Sequence, residues 1–148
     1  MSTPFRLLLP FPLYDAMVSQ AAAELPNECC GLLAGTVLPG VVPPLARVVR
    51  RYPLANAAQS PRAYLSEPRG MFEAVRDMHR LGLDVLAVYH SHPTTDPVPS
   101  RTDLERNYSE DVVNFIISLK SGRPEVRGWW LTAEDYREAE WECVEPDV

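Results

Sequence analysis

The sequence predicts an α/β domain with a mainly β core. Two segments carry an apolar stripe at helical spacing, and several short runs are apolar or alternate with period two. Proline, glycine and polar turn residues separate almost all of them, which is how a chain of short strands joined by tight connections is punctuated.

Phe5 to Leu9 reads as a first strand, ended by Pro10. Pro12 suits the first turn of a helix, and Leu13, Met17, Ala21 and Leu25 then recur every four residues beside Tyr14, Val18 and Ala22. Pro26 stops that helix. Glu28 to Val37 is small and apolar and reads as a buried strand, with Pro39-Gly40 as a turn and Ala46 to Tyr52 returning. A loop over residues 55–61 leads to a short strand at Ala63-Tyr64-Leu65. A second helix is expected from Pro68 to Leu81, with Met71, Ala74, Val75, Met78 and Leu81 on one face and Gly82 past its end. Further strands follow at Asp84 onward, Val112–Leu119, Val126–Thr132 and Tyr136–Val144. The last alternates cleanly, with Ala139, Trp141 and Cys143 on one face and glutamates on the other. There is no internal repeat, low-complexity segment or linker, so residues 1–148 are expected to form a single domain.

Composition narrows the function classes. Hydrophobic residues make up 46% of the chain and charged residues 23%, as in a soluble globular protein. No apolar run approaches the roughly 20 residues of a membrane span, and the N-terminus lacks the pattern of a signal peptide, so a cytoplasmic protein is expected. The net charge is −6, and the basic residues, almost all arginine, form no stripe, which argues against nucleic acid as a partner. Three cysteines, two of them the adjacent Cys29 and Cys30, make no C-x-x-C knuckle and read as reduced structural thiols. His79, on the second helix between arginines, reads as a surface residue.

The chemistry is concentrated between His90 and Asp103. A strand running from Asp84 through His92 points His90 and His92 to one face and Ser91 to the other. The two Cα atoms are then roughly 6.6 Å apart, within reach of one metal ion. The strand ends at Pro93, a proline-rich loop runs to Ser100, and Asp103 arrives on the first turn of a helix. Two imidazoles and a carboxylate are a common set for catalytic zinc, which keeps a fourth position for water. Ser100 and Asp103 also have a plain reading as the two ends of an N-terminal capping box.

His-x-His, seven residues, Ser, two residues, Asp, preceded by Pro26-Asn27-Glu28-Cys29-Cys30-Gly31, resembles the JAMM (MPN-type) zinc metalloproteases, in the compact form of their prokaryotic members. The resemblance implies an MPN-type fold, a single curved, mainly antiparallel sheet flanked by helices. It implies one zinc ion held by His90, His92 and Asp103. Glu28 would accept a proton from the attacking water and pass it to the leaving amine, and Ser100 would donate to the oxyanion. Asn56 lies where the family often places an asparagine near the substrate groove. The family frequently has glycine where this chain has Ala87, for which a packing adjustment is expected.

The expected activity is hydrolysis of amide or isopeptide bonds at the C-terminal Gly-Gly tail of a ubiquitin-like or sulfur-carrier β-grasp protein. Such a tail can lie extended in a narrow groove and add a strand to an exposed edge beside the zinc. Removal of an amino acid from a sulfur carrier is the specific version expected. The same residues also allow a zinc hydrolase of small amides or peptides, and a metal-free scaffold of the same fold. Iron or manganese can occupy such a ligand set. A homodimer is compatible with the sequence. A zinc deaminase is not, because His-x-Glu and Pro-Cys-x-x-Cys are missing.

Overall fold

A computed structural model describes residues 3–146. Met1 and Ser2, on which the signal-peptide reading partly rests, lie outside the described residues, as do Asp147 and Val148. The elements run β1 (Arg6–Pro10), α1 (Phe11–Ala23), β2 (Cys30–Leu38), β3 (Leu45–Leu54), α2 (Pro68–Leu81), β4 (Asp84–His92) and α3 (Arg101–Glu105). They continue with β5 (Val113–Ser118), β6 (Glu125–Leu131), β7 (Tyr136–Glu138) and β8 (Trp141–Val144). The expected α/β architecture is present: one sheet ordered β7-β6-β5-β4-β2-β3-β1-β8, with three helices. Four of its strand pairings are antiparallel and three parallel.

The strand expected over Tyr136–Val144 is two strands, and this is what curls the sheet. β7 pairs with β6 at one end of the order, and β8 pairs with β1 at the other. Only Ala139 and Glu140 separate them, and both stay bonded: Ala139 N–H donates to Gly128 C=O (2.8 Å) and Leu7 N–H to Glu140 C=O (3.1 Å). The two ends of the sheet are therefore drawn together, which leaves little bare edge for stray strand pairing. Gly128 marks the crossing, because a Cβ there would sit 3.0–3.2 Å from Val113, Phe115 and Trp141. The short strand expected at Ala63–Leu65 does not form; the nearest pairing is a single bridge between Asn56 and Ser66.

The two faces of β4 divide the labour. Ala87 and Tyr89 pack into the main core with Leu33, Phe115, Trp130 and Met17 of α1. The opposite face carries Val88, which packs with Leu32 of β2 and with Ala74 and Met78 of α2. Beyond it, Ile116, Trp129 and Leu131 pack against Val98 and Leu104, from the loop and α3. α2 is held at both ends: Glu67 accepts from the N–H groups of Arg69 and Gly70, and Gly82 closes it at φ +70°. Burial of these stripes, at about 25 cal/mol per Å² of apolar surface, is the main force holding the helices to the sheet. His90 and His92 lie on the α2 face, between the two covers. Among the described residues, no helix is long and apolar enough to cross a membrane.

Candidate metal centre

The spacing in β4 places His90 and His92 on one face, both buried, and α3 brings Asp103 over them. His90 Nε2 lies 3.1 Å from Asp103 Oδ1, His92 Nε2 lies 3.1 Å from Asp103 Oδ2, and the two Nε2 atoms are 3.1 Å apart. Three ligand atoms around a tetrahedral zinc at 2.0–2.2 Å stand roughly 3.3–3.5 Å from one another, so the triangle needs to open only slightly.

Proton bookkeeping points the same way. His92 Nδ1 faces the carbonyl of Asp96 at 2.8 Å, and a carbonyl only accepts, so Nδ1 carries the proton. In its neutral form the ring aims a bare Nε2 lone pair at a carboxylate oxygen and at a second imidazole, an arrangement that favours a cation among them. The donor set therefore fits a divalent metal. Burial alone lowers the His92 pKa, but the Asp103 carboxylate and the Asp96 carbonyl raise it above its usual value. Burial also pushes Asp103 upward, yet the two imidazoles and the Ser100 N–H hold its carboxyl well below the usual carboxylate range. His90 Nδ1 is buried and has no hydrogen-bond partner among the described residues.

The loop from Pro93 to Pro99 is pinned. Trp129 Nε1–H donates to Pro97 C=O (2.9 Å), and the Ser118 hydroxyl to Thr95 C=O (2.5 Å). These bonds flank Asp96, whose carbonyl faces His92, and the loop then leads to Ser100.

The Ser-x-x-Asp pair forms the cap, and its carboxylate also lies against the histidines. Ser100 Oγ accepts from Asp103 N–H (3.1 Å), and Asp103 Oδ2 accepts from Ser100 N–H (2.9 Å), a complete capping box. The carboxylate that caps the helix is the one that faces the histidines. The hydroxyl proton of Ser100 is not used by the cap.

Glu28 arrives from the other side. Cys30 of β2 pairs with His90, so Glu28, two residues earlier on the same face, falls opposite His92 when the register is continued. It is 5% exposed, which is unusual for a carboxylate. Burial raises its pKa to about 7; His92 pulls it down and Asp103 adds to the rise. Gly31 is there for Tyr89: a Cβ would lie 2.2 Å from the Tyr89 ring, which fills that space on the core side. Cys30 is buried and its thiol is pushed up to about 12 by burial, as suits a structural cysteine.

Asn56 is also buried, but its side chain turns to backbone. Its amide nitrogen donates to the carbonyls of Glu28 and Ala63, and its oxygen accepts from the N–H groups of Ala58 and Leu65. Tyr64, read only as part of a short strand, stacks its ring on His90 with centroids 4.8 Å apart. Tyr64 also walls a pocket of about 150 Å³ formed with Cys30, Leu54, Met71, Val88 and Tyr108. Nor is there a sheet edge beside the histidines, as was expected for strand addition: β4 lies between β2 and β5.

A sequence profile described as prokaryotic homologs of the JAB domain matches residues 10–132. The chain is a prokaryotic member of the JAMM/MPN family. It is 34% identical over 141 residues to a desampylase of Haloferax volcanii, covering 92% of this chain and 95% of that one. It is 30% identical over 128 residues to a CysO-cysteine peptidase of Mycobacterium tuberculosis, covering 86% and 84%. The solution structure of a protein from Desulfitobacterium hafniense superposes with a TM-score of 0.82 at 32% identity, covering 95% and 94% of the two chains. The MPN-type fold implied by the motif is thus the fold of the chain.

Proposed function

We propose that residues 1–148 act as a single zinc-dependent JAMM domain that hydrolyses amide and isopeptide bonds at the Gly-Gly tail of a ubiquitin-like or sulfur-carrier β-grasp protein. The carrying observation is the convergence of a buried carboxyl, Glu28, on the face where His90, His92 and Asp103 meet within 4.8 Å of one another. Two relatives that align over most of their length, a desampylase and a CysO-cysteine peptidase, support the substrate class. The reading pairs the enzyme with a cytoplasmic carrier protein; among the described residues no helix is long and apolar enough to cross a membrane.

His90, His92 and Asp103 would hold the metal. A zinc ion there supplies a Lewis acid and lowers the pKa of a water it binds to about 7. The proton held on His92 Nδ1 by Asp96 keeps that ring in the tautomer a ligand needs. Burial raises the Glu28 pKa from its usual carboxylate value, which suits a group that must both take a proton and give it up. As the oxygen of water adds to the scissile carbonyl, Glu28 accepts its proton. The C–N bond then breaks, and Glu28 returns that proton to the departing amine, leaving a carboxylate on the glycine. The Ser100 hydroxyl, free to donate, stabilises the oxyanion between the two steps. Tyr64 and the apolar pocket behind it narrow the approach to a slender chain such as Gly-Gly.

The test is a panel of β-grasp carriers bearing C-terminal amino-acid or isopeptide adducts, set beside short peptides and simple amides. Cleavage after the terminal glycine of carriers is expected. Turnover of the small amides with none of the carriers would replace this reading with a small-molecule amidohydrolase.

A further inference from the structure

We infer that Asn56 is a positioning residue for Glu28, and that it acts by tying the backbone of the proton carrier to the segment that bears Tyr64. The inference rests on the reading of Glu28 given above.

Glu28 precedes β2, so the ladder that fixes Cys30 against His90 and Leu54 does not extend to it. Beside the bonds of the next residue, Cys29, to Ser91, its backbone is held by the connection that follows β3. Glu28 N–H donates to Ser60 C=O at 2.9 Å, and Glu28 C=O accepts from the Asn56 side chain at 3.0 Å. The second N–H of that amide goes to Ala63 C=O at 3.0 Å, directly before Tyr64. The amide oxygen accepts from Leu65 N–H, directly after Tyr64, and from Ala58 N–H, each at 3.0 Å. Two donors and two acceptors are the full capacity of an asparagine amide, and all four are spent. Only one orientation of the amide satisfies two carbonyls and two N–H groups, so the network assigns it.

At 7% exposure the group has no capacity left with which to bind a substrate. What it does is fix two things relative to each other: the Glu28 backbone on one side and the stretch 63–65 on the other. Tyr64 stacks on His90, so the same amide relates the proton carrier to the wall over a metal-ligand ring. The Asn56 amide bonds to none of the three metal-site residues: His90 and His92 sit in β4 and Asp103 in α3.

Asn56→Asp tests this with almost no change of shape. It replaces both donors by an oxygen that faces the carbonyls of Glu28 and Ala63, while the acceptor toward Ala58 and Leu65 remains. Zinc content should stay at the wild-type level, and KM should move by no more than about twofold. A misplacement of about 1 Å at Glu28 should lower kcat by about 100-fold. A crystal structure of zinc-loaded Asn56→Asp should show the Glu28 carboxylate displaced and the three ligands in place. An unchanged kcat, or an unmoved Glu28, would overturn the inference. Asn56→Ser, which removes the reach without adding a charge, serves if the aspartate variant does not fold. If the wild type cleaves no carrier, the proposed function fails on that ground, and the position of Glu28 in the crystals still decides the role of Asn56.

Discussion

The hydroxyl of Ser91 accepts a hydrogen bond from the backbone N–H of Cys29 at 2.8 Å, with both residues fully buried. Ser91 N–H donates in turn to Cys29 C=O at 3.2 Å. Ser91 is flanked by His90 and His92, and Cys29 follows Glu28, so one pair of bonds on the core side sets the register of the site on the other. Ser91→Ala leaves the Cys29 N–H buried without its acceptor. A loss of about 1–3 kcal/mol in urea unfolding is expected, with zinc content retained. An unchanged midpoint would show that this bond is not needed.

The Glu28 carboxyl gives a pH dependence with a definite sign. The fold raises its pKa from 4.5 to about 7, so the folded state favours the protonated form. The stability this gives is fully present below about pH 4.5, is lost as pH rises through 7, and amounts to about 3 kcal/mol. In metal-free protein, Glu28→Gln should therefore match wild type near pH 4 and exceed it by up to that amount near pH 9. Thermal or urea unfolding across that range reads the difference. A constant gap between the two proteins at all pH values would contradict the assignment.

Ser100 carries two duties that separate in the measurement. Removing its hydroxyl with Ser100→Ala takes away the acceptor for Asp103 N–H and should cost about 1 kcal/mol of stability. Losing the oxyanion donor should lower kcat by about 100- to 1,000-fold. If the residue were only a cap, kcat per folded, zinc-loaded molecule would stay near wild type.

Gly31 is expected to tolerate no side chain. In Gly31→Ala the new Cβ meets the buried Tyr89 ring, and overpacking of this kind costs about 1–3 kcal/mol. Combining it with Tyr89→Leu should cost less than the sum of the two single changes. Strictly additive losses would mean that the two residues do not compete for the space.

Much of this arrangement is legible in the sequence where local signals are strong. The bounds of α2 follow from Pro68 and Gly82, and those of β4 from the branched run and Pro93; both match the structure. Period-two alternation puts His90 and His92 on one face, whereas the place of Asp103 beside them is implied by the resemblance to the JAMM motif, since Ser100-x-x-Asp103 alone reads as a cap. What the sequence hides is the choice of partner. Tyr136–Val144 alternates as one strand, and nothing in the alternation says that its first half pairs with β6 and its second with β1. Asn56 and Tyr64 sit in a polar loop without periodicity, so the side-chain bonds that bind the loop to Glu28 have no local signature. The proton on His92 Nδ1 depends on a carbonyl four residues on, placed by Trp129 from another strand.

The most direct test of the central claim measures zinc per chain and carrier cleavage for wild type, Glu28→Gln and His92→Ala. About one zinc with cleavage in wild type, zinc without cleavage in Glu28→Gln, and neither in His92→Ala is the predicted result. A wild type that binds no metal, or a Glu28→Gln enzyme as active as wild type, would contradict it.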